Sequence, residues 1–137
     1  MINLQVSTFG RRVLAAGAAF ALIAVLSGAF AAHGLKAILD AQQLALFETG
    51  ARYQIYHALA MLLVGVIAAL PQISVRPLQL AAFAFILGIV LFSGSLYLLA
   101  LSGIRWLGAI TPLGGISFLL GWLALIVAAL RPAADAE

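Results

Sequence analysis

Apolar residues follow one another along this chain in long uninterrupted runs instead of alternating with polar ones. Charged side chains mark out four such runs, residues 13–32, 53–75, 77–104 and 106–130, of 20, 23, 28 and 25 residues. A helix needs about 20 apolar residues to cross a hydrocarbon core about 30 Å thick. Each run suffices for one crossing and none for two. Lipid offers no partner to a free backbone N–H or C=O, and no segment alternates as a barrel strand does, so the runs read as helices. The expectation is an all-α integral membrane protein with a single membrane domain over residues 1–137. It is a bundle of four transmembrane helices at about 13–32, 53–71, 78–102 and 107–130, with a short interfacial helix between spans one and two.

The connections are unequal. Residues 71–77 and 103–106 make tight hairpins, whereas the first connection, from His33 to Arg52, is about 20 residues and must have structure of its own. There Asp40 followed by Gln43 has the spacing of a capping box, in which side-chain oxygens satisfy the free N–H groups of a helix start. Ile38, Leu39, Leu44, Leu46 and Phe47 supply apolar contact, and Gln42, Gln43 and Glu48 are polar. Residues 36–50 therefore read as a helix lying at the membrane surface and running toward span two, with Gly50 either breaking it or passed through. Span four has two readings. Thr111-Pro112 can be an N-cap followed by proline at the first helical position, leaving residues 104–110 as a turn; otherwise Pro112 kinks a longer helix. Arg11-Arg12 ahead of an apolar stretch ending Ala29-Phe30-Ala31 also resembles a cleaved secretory signal, but 20 residues exceed the usual signal core, and a retained first span is expected.

Composition agrees with the pattern. Apolar residues make up 66% of the chain and charged residues 8%, too few charges to cover a water-soluble globule. The formal charge of +3 comes from basic residues scattered singly or in pairs, which form no stripe for nucleic acid. With no cysteine, disulfides and thiolate metal sites are excluded. An even number of crossings puts Arg11, Arg12, Arg76 and Arg131 on the side of the termini and Lys36, Arg52 and Arg105 on the other, so the positive-inside rule places both termini in the cytoplasm.

Four short motifs then become recognisable in order. They are Gly28-Ala29-Phe30-Ala31-Ala32-His33-Gly34-Leu35, Thr49-Gly50-Ala51-Arg52-Tyr53-Gln54-Ile55-Tyr56-His57-Ala58-Leu59, Phe92-Ser93-Gly94-Ser95-Leu96-Tyr97, and Thr111-Pro112-Leu113-Gly114-Gly115 continuing to Gly121-Trp122. Together they resemble the domain of unknown function 423 family, small YgdD/YwdK-like inner-membrane proteins of bacteria with relatives in eukaryotes. Ala31 stands where that family often has glycine. The resemblance implies a four-helix protein of the bacterial inner membrane without an established activity.

Polar residues in and beside the spans are few enough to weigh singly. His33, Glu48, Arg52, Tyr53, Tyr56 and His57 form a candidate polar cluster at one membrane face, because side chains three or four apart meet on a helix. Intramembrane ionisable groups are costly and so are functional candidates. Against that, tyrosines anchor at interfaces, arginine snorkels and a histidine can simply bridge helices. Ser93, Gly94, Ser95 and Tyr97, with Thr111, Pro112, Gly114 and Gly115, form a candidate intramembrane polar or packing motif. Small residues four apart, Ala24-Gly28-Ala32, Gly65-Ala69, Ala84-Gly88 and Ser117-Gly121, suit close packing within one bundle.

No catalytic constellation and no metal set stands out, and no cofactor is expected. The expected role is a non-enzymatic accessory or assembly component whose partners are membrane lipids, other membrane proteins or further copies of itself. The alternative is a binder of a lipid, quinone or haem at the His33/His57 end. A transporter ranks lower, because Asp40, Glu48, Asp135 and Glu137 are all read as lying outside the spans.

Overall fold

The computed structural model describes residues 6–131. Asp135 and Glu137 lie outside the described residues. Every element is helical: α1 (Thr8–His33), α2 (Ala41–Ile67), α3 (Val75–Gly88), α4 (Gly94–Ser102) and α5 (Thr111–Leu130). Three helical stretches are long and apolar enough to cross a membrane, Thr8–Ala37, Val75–Ser102 and Arg105–Leu130. The fourth long helix, α2, carries Arg52, Gln54 and His57 and is the most polar of the set.

The helix starts follow from the sequence. Ser7 caps α1 by accepting from Gly10 N at 3.1 Å. Asp40 and Gln43 form the full reciprocal capping box, with Gln43 N to Asp40 Oδ1 at 2.8 Å and Asp40 N to Gln43 Oε1 at 3.1 Å. A separate interfacial helix over residues 36–50 does not form. A single 3₁₀ turn (Leu35–Ala37) is followed by α2, which runs unbroken through Gly50. Glycine is carried inside the helix because the ring of Tyr97 occupies the space its side chain would take, 3.0 Å from an ideal Cβ.

α3 and α4 form one rod joined by a π-helical turn (Ile89–Ser93). A wide turn of this kind rotates the side chains that follow it relative to those before. Leu78, Ala81 and Phe85 ahead of it belong to the core shared with Phe118, Ala124 and Ala128 of α5. Ala100 beyond it packs with Phe47 of α2, Ala31 and Leu35, with Tyr97 alongside. One rod thus serves two neighbours.

At the α3–α5 contact the sequence Phe-x-x-Gly occurs on each helix, as Phe85/Gly88 and Phe118/Gly121. Phe118 packs over Gly88 and Phe85 over Gly121, where an added Cβ would lie about 2.5 Å from the Phe85 ring. Each glycine makes the seat for the other helix's ring, which fixes the antiparallel register. Phe92 lies on Gly114 in the same register, and Ser117 Oγ donates to the Ala84 carbonyl at 2.8 Å. Between α1 and α2, Gly10 faces the Gly65 carbonyl and Gly17 the Ala58 carbonyl, each 3.0 Å from an ideal Cβ.

Small residues are not all used in this way. Nothing lies within 4 Å of an ideal Cβ on Gly28 or Gly94, so neither is a close-packing position, contrary to the expectation for the Ala24-Gly28-Ala32 stripe and for Gly94. Overpacking a close contact costs about 1–3 kcal/mol, whereas alanine for glycine within an open helix gains about 0.5–1 kcal/mol. Gly88→Ala and Gly121→Ala are therefore expected to lower the stability of the detergent-solubilised protein. Gly28→Ala and Gly94→Ala should leave it unchanged or raised. Equal effects at all four positions in thermal or denaturant unfolding would contradict this packing.

Candidate functional site

The polar side chains inside the bundle lie on the inward face of α2 and on the elements that face it. Gly50, Gln54, His57 and Met61 recur every three or four residues and are all buried, as expected for one stripe of a helix. Gln54, 2% exposed, was absent from the sequence candidates. Its Nε2 donates to the Phe20 carbonyl of α1 at 2.9 Å, and its Oε1 accepts from the Tyr97 hydroxyl of α4 at 2.9 Å. One amide therefore ties three helices. The signal for it was present, since Gln54 is the one side-chain amide within the run of residues 53–75 apart from Gln72 near its end.

His57, three residues further along α2 and 5% exposed, has both ring nitrogens engaged. Nδ1 lies 2.7 Å from the Tyr53 carbonyl, and Trp122 Nε1 donates to Nε2 at 3.1 Å. An indole nitrogen can only donate, so Nε2 must accept and the ring is the neutral tautomer with its proton on Nδ1. The imidazole stacks on Phe118 with centroids 3.4 Å apart and planes 5° apart, and Phe85 packs against it at 5.5 Å. A cavity of about 380 Å³ opens beside it, lined by Tyr53, Tyr56, His57, Phe92, Phe118 and Trp122, with Gly115 and Leu119. Tyr53 packs on Phe92 at 4.7 Å.

The six-residue cluster expected at one membrane face is not assembled. His33 ends α1 and is exposed. Gln54, one turn from His57, bonds Phe20, which lies 13 residues before His33 on α1. That separation is about 20 Å of helical rise, so the two histidines do not share a site. The reason is α2's early start at Ala41, which places His57 well along the helix instead of at its mouth. Haem ligation by this pair does not fit: the histidines stand apart, and His57 Nε2 is held by Trp122.

Glu48 and Arg52 are exposed and line another cavity with Ala24, Val25, Gly28, Ala51 and Ile55, of about 310 Å³. Glu48 therefore lies beside Ala24, Val25 and Gly28 of α1.

The second candidate group is split between packing and hydrogen bonding. Ser95 Oγ lies 2.8 Å from Thr111 Oγ1 and 3.0 Å from the Phe92 carbonyl. Thr111 therefore joins α4 to the start of α5 instead of capping its own helix, although α5 does begin there with Pro112 in its first turn. Tyr97 bonds Gln54, Gly114 seats Phe92, and Gly115 borders the aromatic cavity. Ser93 is fully buried, and its hydroxyl is without a partner.

Nitrogen-15 spectra of histidine-labelled protein are expected to show His57 as the Nδ1-protonated neutral form. Trp122→Phe should change the Nε2 signal and lower stability by about 0.5–1.5 kcal/mol, the worth of one hydrogen bond. A proton found on Nε2 in the wild type would contradict the geometry.

Residues 27–115 match the family described as Protein of unknown function (DUF423). The chain is 46% identical over 115 residues to a UPF0382 membrane protein of Staphylococcus epidermidis, covering 84% of this chain and 92% of the relative. It is 48% identical over 111 residues to one of Staphylococcus saprophyticus, covering 81% and 90%. It is 44% identical over 116 residues to the UPF0382 membrane protein YwdK of Bacillus subtilis, covering 84% and 93%. No solved structure matches. The chain thus belongs to the DUF423 family, whose function is unknown and to which these bacterial membrane proteins are similar in name and sequence.

Proposed function

We propose that this protein is a four-span accessory or assembly component of the bacterial inner membrane. It works by presenting helix faces to lipid and to neighbouring membrane proteins, not by chemistry. In this reading α1, α2, the α3–α4 rod and α5 each cross once. Arg11, Arg12, Arg76 and Arg131 then face the cytoplasm with both termini.

The observation that carries the reading is the engagement of the interior polar groups, with the Ser93 hydroxyl as the exception. Gln54, Tyr97, His57, Trp122, Ser95, Thr111 and Ser117 hold one another or backbone carbonyls. A catalytic group needs an atom free for substrate, and these spend theirs on holding helices together. The open α1–α2 groove supplies the partner-facing surface. Gly28 lies uncovered there beside the opposite charges of Glu48 and Arg52. Charged side chains on membrane helices normally face protein or water and not lipid, which favours a protein neighbour or a second copy at this groove.

A second reading is favoured by the aromatic cavity at His57, whose 380 Å³ is within the range of small-ligand sites. An amphiphile there would contact ring faces and the two tyrosines, since both His57 nitrogens are engaged.

Two measurements separate these readings. A photo-crosslinking residue at Val25, in the groove, is expected to give a discrete protein adduct that Arg52→Gln or Gly28→Leu abolishes; one at Leu119 gives none. Lipid adducts alone at Val25 would contradict the accessory reading. After gentle purification, bound small molecules should be equal in wild type and His57→Ala. A molecule lost only from that variant would move the assignment to the cavity.

A further inference from the structure

Neither the interior network nor the α1–α2 groove involves the far end of the α3–α5 interface. There Ser74, Arg76, Pro77 and Leu80 meet Leu120, Leu123, Ala124, Val127 and Arg131 around a cavity of about 540 Å³, the largest of those described. The register set by the interlocked rings brings the two arginines to the same level. Phe85 faces Gly121, and carrying that antiparallel pairing nine residues toward the chain ends sets Arg76 opposite Leu130, beside Arg131. The described acids, Asp40 and Glu48, lie at the start of α2, and it is the other end of α2 that leads into Ser74 and Arg76, so both acids are at the opposite end of the bundle. Among the described residues no ion pair involves either arginine.

The walls below the arginines are apolar. They reach from Arg131 back to Leu120 on α5, eleven residues or about 16 Å of helical rise. That is about half of a 30 Å hydrocarbon core, the depth of one leaflet. A groove with two guanidinium groups at its mouth and a leaflet-deep apolar floor is complementary to one kind of molecule. Guanidinium binds phosphate oxygens in a planar, bidentate fashion, and the floor accepts an acyl chain. The α3 start adds to this complementarity. Ser74 makes no side-chain capping bond there, so the positive N-terminal end of the helix dipole is left at the level of the two arginines.

We infer that this groove binds one anionic phospholipid of the leaflet on the side of the termini, its phosphate held between Arg76 and Arg131 and one acyl chain lying along Leu80, Leu120, Leu123 and Val127. The lipid covers the α3–α5 seam above Ala124, one of the residues lining the cavity. This rests on the four-span reading, in which both arginines reach one membrane face.

Native mass spectrometry of the purified full chain tests the inference, with phosphatidylglycerol and phosphatidylcholine of identical acyl chains, and with inorganic phosphate, as probes. Wild type is expected to retain one phosphatidylglycerol in preference to phosphatidylcholine. An arginine near an anionic surface contributes about fivefold. Arg76→Gln and Arg131→Gln should each cut the preference by about that factor, and the double variant should abolish it. Arg11→Gln, at the same end but in a different cavity, should leave it intact. Leu123→Trp, an exposed position filling the groove, should reduce retention of both lipids while the protein stays folded by circular dichroism. Equal retention of the two lipids by wild type would overturn the proposal, as would a loss in Arg11→Gln matching that in Arg76→Gln. So would phosphate binding that competes fully with lipid and is indifferent to Leu123→Trp, since that marks an anion site without a lipid. Cysteine labelling at positions 76 and 131 from each side of sealed vesicles keeps the outcomes distinct. Labelling from one side without lipid preference sinks the lipid site and leaves the four spans standing, whereas labelling from opposite sides sinks the span reading itself.

Discussion

A polar side chain inside a hydrocarbon slab has no water to turn to, so it must be satisfied by protein or face a cost of several kcal/mol. The interior of this bundle is organised by that constraint. Gln54 is the centre of it: one amide reaches Phe20 on α1 and Tyr97 on α4 from a position on α2. Three residues on, His57 receives the Trp122 N–H and closes α5 onto the same helix. The polar stripe of α2 is thereby the surface against which the other helices are oriented. Hydrophobicity alone cannot do this in lipid, where tails are as apolar as leucine and packing and hydrogen bonds decide which helices meet.

Shape supplies the rest of the specificity. The interlocked Phe85/Gly121 and Phe118/Gly88 seats set the α3–α5 register, and Gly50 does the same for Tyr97 on α2. Aromatic rings placed over glycines bring backbones close while filling the volume between them. The π-helical turn Ile89–Ser93 lets a single rod meet α5 with one face and α2 with another. Side chains at His57 are consequently stacked and not free: the Phe118 ring lies parallel to the imidazole, in a position to hold it for the Trp122 bond.

Much of this was legible in the chain. The long apolar runs specify helices in lipid, Asp40 with Gln43 marks the α2 start, and Thr111-Pro112 marks the α5 start. Three of the four motifs supply interior polar contacts or ring seats, through Gly50, Gln54 and His57, through Ser95 and Tyr97, and through Thr111, Gly114 and Trp122, whereas the first, residues 28–35, buries only Ala31 and Leu35. What was not legible depends on angle and register. Gly50 can equally end a helix or seat a ring, and only the position of Tyr97 decides it. The two histidines looked close because α2 was expected to begin as a span near Arg52; its start at Ala41 carries His57 about 20 Å from the level of His33. Gln54 stands out in the sequence only as an amide inside an apolar run, between neighbours that carry charge or rings, and its partners on α1 and α4 depend on the packing. Gly28 and Gly94 show that small size permits close contact without requiring it.

The Gln54–Tyr97 bond is the most direct test of the claim that interior polar groups hold the helices and are shielded while doing so. A double-mutant cycle with Gln54→Leu and Tyr97→Phe, measured by reversible unfolding in bilayer-mimetic micelles, isolates that pair. Interhelical hydrogen bonds in membrane proteins couple by about 0.6 kcal/mol on average and up to about 1.7, and a favourable coupling within that range is the predicted result. Strictly additive losses, or no loss in either single variant, would mean that the amide does not join these helices and that the account of the interior is wrong.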